Sequence, residues 1–301
     1  MTVNMHAVLE VLRTILYLIY CYGEAVFRMF VPIKKKSFAG KVVLVTGAGH
    51  GIGRELALQF SEIGARLVLW DINSANLEKV KNEIQKTGHT AVSYVCDVSK
   101  IEDIKAVAKK VRQDVGEVEM LVNNAGILHG GALLSLSEQD IRRTFDVNVL
   151  AHFWTCREFL PHMIRQNEGH IVNVASMSAQ RAVAYLTDYA SSKYAVKGFT
   201  QGLRDELRRE GHTGIHLTTA YPMFVDTGLA QYAIDRDGML TPRDVAAAVV
   251  DGVQRNEPSV FIPGRYRYTL PIMSWLPSKF LDHPTEFMYK GIHPQYHTNR
   301  E

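Results

Sequence analysis

The chain has 301 residues, 47% of them hydrophobic, and a formal charge of +3 from 34 basic and 31 acidic side chains. That content suffices for one large α/β domain or two small ones, and interspersed charges of both signs leave no footprint for a nucleic acid. Three widely spaced cysteines without CxxC, and twelve histidines without HExxH, argue against disulfides and suit a reducing compartment; no metal is expected.

The first segment, residues 1–36, stands apart. "AVLEVLRTILYLIYCYGEAVFRMFV" is strongly apolar but interrupted by Glu10, Arg13, Glu24 and Arg28, so its uncharged runs are shorter than the ~18 residues expected of a spanning helix. Projected at about 100° per residue, those charges share one narrow stripe, with leucine, isoleucine, valine and phenylalanine around the rest. Such a helix suits the plane of a membrane surface, with Pro32 ending it and Lys34, Lys35 and Lys36 facing anionic headgroups. The alternatives are a transmembrane anchor with the remainder cytosolic, or a helix docked on protein; the start has no basic n-region and no clear cleavage site for a signal peptide.

From residue 37 to 301 a single domain is expected. "KVVLVTG", "ARLVLWD", "TAVSYVCD", "EMLVNNAG", "GHIVNVAS", "IHLTTAYP" and "PSVFIP" read as seven strands separated by stretches of helical period. This alternation predicts a Rossmann-type, doubly wound parallel sheet with helices on both faces. Helix starts are predicted at Ser74, Ser137, Thr187 and at Thr241 with Pro242 following.

Directly after the first strand, "TGAGHGIG" places Gly47, Gly51 and Gly53, with His50 and Ile52 between them, at a strand-to-helix turn. Bare backbone there admits a pyrophosphate to the unpaired N–H groups of a helix N-terminus. Asp71 ends the second strand, eighteen residues after Gly53, where a carboxylate accepts from ribose hydroxyls and repels a 2′-phosphate. NAD is therefore expected over NADP. Asp97 and Val98 end the third strand beside the adenine position, and Asn124, Ala125 and Gly126 close the fourth.

The stretch "YLTDYASSKYAVKG", residues 185–198, holds two tyrosine–lysine pairs at helical spacing: Tyr189 with Lys193, and Tyr194 with Lys197. Spacing alone leaves both open.

Taken together and in this order, "TGAGHGIG", "NNAG", "HIVNVAS" and "YASSK" resemble the short-chain dehydrogenase/reductase family, across nearly the whole chain beyond residue 37. The resemblance implies a catalytic serine thirteen residues before the tyrosine, which selects Ser176, Tyr189 and Lys193. It also implies that Asn148 joins a water-mediated proton relay to Lys193, that Tyr189 and Lys193 also contact the cofactor, and that Pro222, Val225 and Thr227 meet the nicotinamide and phosphate. The chemistry agrees: a phenol with pKa near 10 needs neighbouring positive charge, so Lys193 and the positively charged nicotinamide of NAD⁺ should lower the Tyr189 pKa, while Ser176 holds the substrate oxygen.

One departure is Met223, where the family usually has glycine after Pro222. With "AHFWT" and the apolar N-terminus, it is similar to the group of lipid-droplet 17β-hydroxysteroid dehydrogenases and membrane-bound retinol dehydrogenases. That implies an endoplasmic reticulum or lipid-droplet surface, a lipophilic alcohol such as a hydroxysteroid, retinol or lipid-derived alcohol, and a homodimer through helices within 138–160 and 189–209. Phe224, Leu229, Tyr232 and Ile234 are expected to line a cover over the substrate, and "RYRYTLPIMSWLPSKFL" to form a second membrane-facing patch. Two other functions are carried forward, an NADPH-dependent lipid carbonyl reductase and a lipid-surface scaffold with a redox-sensing dinucleotide site.

Overall fold

The computed structural model describes residues 5–31, 34–229, 238–273, 275–277 and 279. By contacts the chain divides into two compact units, Met1–Lys36 and Ser37–Glu301.

The first unit carries one helix, α1 (Met5–Phe30), continuous through Gly23. Among its described side chains Leu9, Leu12, Leu16, Ile19 and Phe27 are exposed, and Arg13 pairs with Glu10 at 3.1 Å along the charged ridge. Among the described residues no helix is long and apolar enough to cross a membrane. Pro32 lies outside the described residues.

The second unit is built on seven parallel strands, β1 (Val42–Thr46), β2 (Arg66–Asp71), β3 (Ala91–Val95), β4 (Met120–Asn123), β5 (Gly169–Val174), β6 (Ile215–Pro222) and β7 (Ser259–Ile262). They lie in the order 3-2-1-4-5-6-7, every neighbouring pair parallel. Among the described residues its helices are α2 (Gly51–Glu62), α3 (Ser74–Lys86), α4 (Ile101–Asp114), α5 (Glu138–Phe145), α6 (Ala151–Gln166), α7 (Thr187–Arg209), α8 (Pro242–Gln254) and α9 (Tyr266–Met273).

Strand residues alternate between two cores because successive side chains point to opposite faces. Val43, Val45, Leu67 and Leu69 pack with Leu56 and Phe60 of α2, Leu77 and Ile84 of α3, and Val245 and Val249 of α8. Val42, Leu44, Val68 and Trp70 pack with Ile104 and Val111 of α4 and with Phe159 and Met163 of α6. Burial on both faces explains why the strands read as unbroken apolar runs rather than alternating ones. Each fully buried Leu or Phe contributes about 1.5–3 kcal/mol by leaving water.

Two helix starts differ from expectation. Asn73, not Ser74, caps α3, its side chain accepting from the Asn76 N–H. Leu186 precedes α7 without a side-chain cap, so Thr187 is its first residue. Ser137 and Thr241 do cap α5 and α8, through the N–H groups of Asp140 and Asp244.

Candidate active site

The strand order reverses between β1 and β4, which opens a crevice at the carboxyl ends of the strands. Gly47 turns into that crevice with φ +64°, a conformation that costs glycine nothing. Gly53 packs so closely that a Cβ there would lie 2.0 Å from the Gly47 carbonyl oxygen. A Cβ on Gly51 would meet the Thr227 methyl at 2.9 Å, so the segment after β6 reaches the N-terminus of α2. His50 is exposed at the position before α2 and makes no side-chain cap; Ile52 is half-buried in the first turn.

Asp71 binds the loop from the other side. One carboxylate oxygen accepts from the Gly49 N–H and the other from the Asn73 N–H, each at 2.9 Å. Asp97 at the end of β3 accepts from the N–H and hydroxyl of Ser99, which hold its carboxyl below the usual range although burial opposes them. Val98 beside it is buried. Asn124 donates to the carbonyls of Thr46 and Gly47 at 3.0 and 3.2 Å, tying β4 to the glycine turn. The Thr46 hydroxyl accepts from the N–H groups of both Asn124 and Ala125, a contact sequence reasoning missed although "VTG" displays the residue.

Deeper in the crevice, Gly126 passes Asn148 and Lys193; a Cβ on it would lie 3.4 Å from the Asn148 Oδ1 and 3.5 Å from the Lys193 Nζ. Asn148 is fully buried in a π-helical turn, Asp146–Leu150, between α5 and α6. Its amide donates to the Ile127 carbonyl and the Ser192 hydroxyl and accepts from the Ile127 N–H. Ser192 in turn donates to the Tyr189 carbonyl at 2.6 Å. Ser192 was also missed; only its place in "SSK" displayed it.

Tyr189 and Ser176 meet through their hydroxyls. Lys193, one turn along α7, donates to the Val174 carbonyl at 3.0 Å, and its Nζ lies 5.5 Å from the Tyr189 ring centroid. In the chain by itself Lys193 does not lower the Tyr189 pKa. Burial pushes the phenol up to about 12 against the Ser176 hydrogen bond, and burial pulls Lys193 down to about 8. The ammonium sits over the ring and bonds backbone rather than the hydroxyl, so desolvation outweighs its attraction. Beneath it, His152 bonds Asn173, and burial with the Lys193 charge lowers its pKa to about 3. It stays neutral. Tyr194 lies on the outer side of α7, 41% exposed, with Lys197 bonded to Gln180 at 2.8 Å.

Ser176 and Tyr189 form the floor of a cleft whose walls are Leu128, Met177, Val183, Leu186, Met223, Phe224 and Leu229, with Tyr266, Leu270 and Met273 of α9. Pro222, Val225 and Thr227 line the same cleft, so the segment after β6 joins the glycine turn to the substrate side. The opposite side of α9 exposes Tyr268 and Ile272, followed by Trp275. Tyr232 and Ile234 lie outside the described residues.

A glycine-lined crevice at the switch point of a parallel sheet, facing a serine–tyrosine–lysine cluster in an apolar cleft, defines a dinucleotide-dependent oxidoreductase. Residues 41–237 match the family model described as short chain dehydrogenase. The human 17-beta-hydroxysteroid dehydrogenase 13 is 40% identical over 276 residues, covering 91% of this chain and 92% of that protein. The mouse estradiol 17-beta-dehydrogenase 11 is 41% identical, covering 86% of this chain and 87% of the relative. Among solved structures, a short chain dehydrogenase/reductase from Burkholderia phymatum in complex with NAD superimposes with TM-score 0.72 at 27% identity, over 87% of this chain and 99% of that one. A putative NAD(P) dependent gluconate 5-dehydrogenase from Beutenbergia cavernae with bound NADP gives 0.68 at 28% identity, over 77% and 98%. The chain belongs to the short-chain dehydrogenase/reductase family, in the group that contains 17β-hydroxysteroid dehydrogenases 13 and 11, and is an oxidoreductase acting on CH–OH groups.

Proposed function

We propose that the protein oxidises a lipophilic alcohol with NAD at a membrane or lipid-droplet surface, with Tyr189 as general acid/base. The observation that carries this is the Ser176–Tyr189 hydroxyl contact at the floor of an apolar cleft, with Lys193 one turn away. The mostly apolar lining of the cleft suits a hydrophobic substrate body, and the hydroxysteroid dehydrogenases among the relatives support the same class.

The cradle fits a dinucleotide. Gly47, Gly51 and Gly53 would hold the pyrophosphate against α2, Asp71 the adenosine ribose, Asp97 and Val98 the adenine, and Asn124 to Gly126 the crevice wall. Pro222, Val225 and Thr227 would meet the nicotinamide end, and Lys193 its ribose. NAD⁺, when bound, accepts the hydride released from the carbinol carbon. Asp71 supports NAD over NADP, because a 2′-phosphate would meet its charge.

The chain's own groups handle the proton. Ser176 donates to the substrate oxygen and fixes it beside the Tyr189 hydroxyl. Tyr189 as phenolate takes the alcohol proton; as phenol it returns one to a carbonyl oxygen. The positive charge that would make phenolate accessible against burial is that of the bound nicotinamide ring together with Lys193, and Asn148 positions the turn behind it. A second reading, NADPH-dependent reduction of a lipid carbonyl, draws on the protonated state favoured by a phenol pKa of about 12.

Exposed apolar side chains of α1 support its lying in a membrane surface, and Tyr268, Ile272 and Trp275 support a second lipid contact beside the cleft. Leu150, Phe153 and Tyr194, exposed around α6 and α7, support a homodimer through those helices. The test is a panel of hydroxysteroids, retinol and fatty alcohols incubated with the purified chain and NAD⁺ or NADP⁺ at equal concentration. Absorbance of the reduced nicotinamide should rise with NAD⁺; turnover confined to carbonyls with NADPH would replace the first reading by the second.

A further inference from the structure

Two buried hydrogen bonds, one turn apart, tie α7 to its neighbour. Asn148 donates to Ser192 at 3.0 Å, and one turn earlier on both helices Thr144 donates to Asp188, also at 3.0 Å. Residues four apart share a helix face, so 144 with 148 and 188 with 192 make two rungs between α7 and α5 with its π turn. Each rung residue on α7 is followed directly by a site residue, Tyr189 after Asp188 and Lys193 after Ser192.

The first rung is a poor device for stability. Thr144 is fully buried and Asp188 is 4% exposed. Among the described residues the Asp188 carboxyl group has the Thr144 hydroxyl on one oxygen, while its Oδ1 is buried without a hydrogen-bond partner. Burying a carboxyl group on one neutral donor costs stability, whereas an apolar pair of the same shape would cost little.

What the rung supplies is direction. A hydrogen bond weakens steeply off its axis, so it fixes a register where apolar contact tolerates a slide. Thr144 gives its one hydroxyl proton to Asp188, so the His129 Nδ1, 3.0 Å from the same oxygen, carries a proton and donates to it. The His129 Nε2 lies 3.7 Å from Asp140 of α5. His129 directly follows Leu128, and Asp188 directly precedes Tyr189; Leu128 and Tyr189 both line the cleft. One buried chain, His129 to Thr144 to Asp188, thus ties a wall of the cleft to its floor.

We infer that Thr144 and Asp188, backed by His129, are positioning residues for the reaction: their rung sets the register of α7 at which the Tyr189 hydroxyl meets Ser176 and the substrate oxygen. The inference rests on Tyr189 being the proton carrier proposed above. The three residues act through Tyr189 and take no proton from the substrate.

The experiment uses the detergent-solubilised full chain with NAD⁺ and either estradiol or 1-dodecanol. Thr144→Val should lower kcat by about tenfold to a hundredfold, the range of a small misplacement of a reacting group, with KM and NADH affinity changed by less than about twofold. Thr144→Ser keeps the donor and should restore most of the rate. The double variant Thr144→Val/Asp188→Leu separates position from stability, because it replaces the rung by an apolar contact. Its urea midpoint should equal or exceed that of wild type while kcat stays low. Recovery of kcat together with the midpoint would overturn the inference, as would a Thr144→Val enzyme as fast as wild type.

Isotope-edited NMR of tyrosine labelled at Cζ reads the place of the phenol without turnover, the Tyr189 resonance being identified by its loss in Tyr189→Phe. That resonance should move in Thr144→Val and in the double variant, and return in Thr144→Ser. If it does so while wild type oxidises neither alcohol, the positioning stands and the proposed oxidation fails. If wild type oxidises an alcohol while Thr144→Val leaves both the resonance and kcat in place, the oxidation stands and the positioning fails. An unmoved resonance overturns the inference in either case.

Discussion

Asn148 pairs with Ile127 through both halves of its amide, accepting from the Ile127 N–H at 2.8 Å and donating to the Ile127 carbonyl at 2.9 Å. Its remaining donor reaches Ser192, whose hydroxyl holds the Tyr189 carbonyl, so one buried side chain joins the loop after β4 to the helix of the tyrosine. Asn148→Leu should lower unfolding free energy by about 2–4 kcal/mol, because buried polar groups lose their partners. Asn148→Asp keeps the acceptor and loses both donors. It should lower kcat/KM as well as stability, measured by urea denaturation alongside steady-state kinetics.

Tyr189→Phe removes the hydroxyl that Ser176 contacts and leaves the ring in place. General acid/base catalysis is worth about 10²–10⁴-fold, so kcat should fall by that order while cofactor affinity changes far less. Retained turnover would reject Tyr189 as proton carrier. Unchanged cellular function in a catalytically dead variant would favour a scaffold.

Asp71 faces two ways, towards the glycine loop through Gly49 and towards Asn73. Asp71→Ser should shift the NAD-to-NADP ratio of kcat/KM towards NADP by about tenfold or more, since a nearby like charge costs on the order of 1–4 kcal/mol. A wild-type enzyme already preferring NADP would remove the basis of the cofactor assignment.

Lys193 gives a stability prediction with a definite sign. Its pKa is about 8 in the folded chain against 10.5 for a free lysine, so burial penalises the folded ammonium fully below pH 8. Between pH 8 and 10.5 the unfolded chain binds more protons, and wild-type stability rises relative to Lys193→Met by up to about 3 kcal/mol. At pH 7 the variant should be the more stable protein and nearly inactive. Chemical denaturation at pH 7.5, 8.5 and 9.5 checks it; parallel curves for the two proteins would contradict the burial argument.

Removing residues 1–36 deletes α1, whose apolar side chains are exposed. Residues 37–301 should remain folded and bind cofactor but no longer float with lipid vesicles. Loss of the thermal transition would show instead that the helix docks on protein. Residual flotation would point to Tyr268, Ile272 and Trp275.

Much of this protein is written locally. Runs such as 42–45 and 67–70 are apolar at every position because both sheet faces are covered, and the glycines after β1 sit where a Cβ would meet its neighbours too closely. Period and composition therefore determined the seven strands, the glycine crevice and the place of Asp71, while Ser176 and Tyr189 were picked out by the resemblance of "HIVNVAS" and "YASSK" to the family. Local pattern does not say which of two tyrosine–lysine pairs turns inward, that Asn73 rather than Ser74 caps α3, or that Lys193 bonds Val174. Tertiary structure decided these. It packs α7 against β6, brings Lys193 to the end of β5, leaves Tyr194 outside, and sets the Tyr189 and Lys193 pKa values by burial, a sum over groups far apart in the chain.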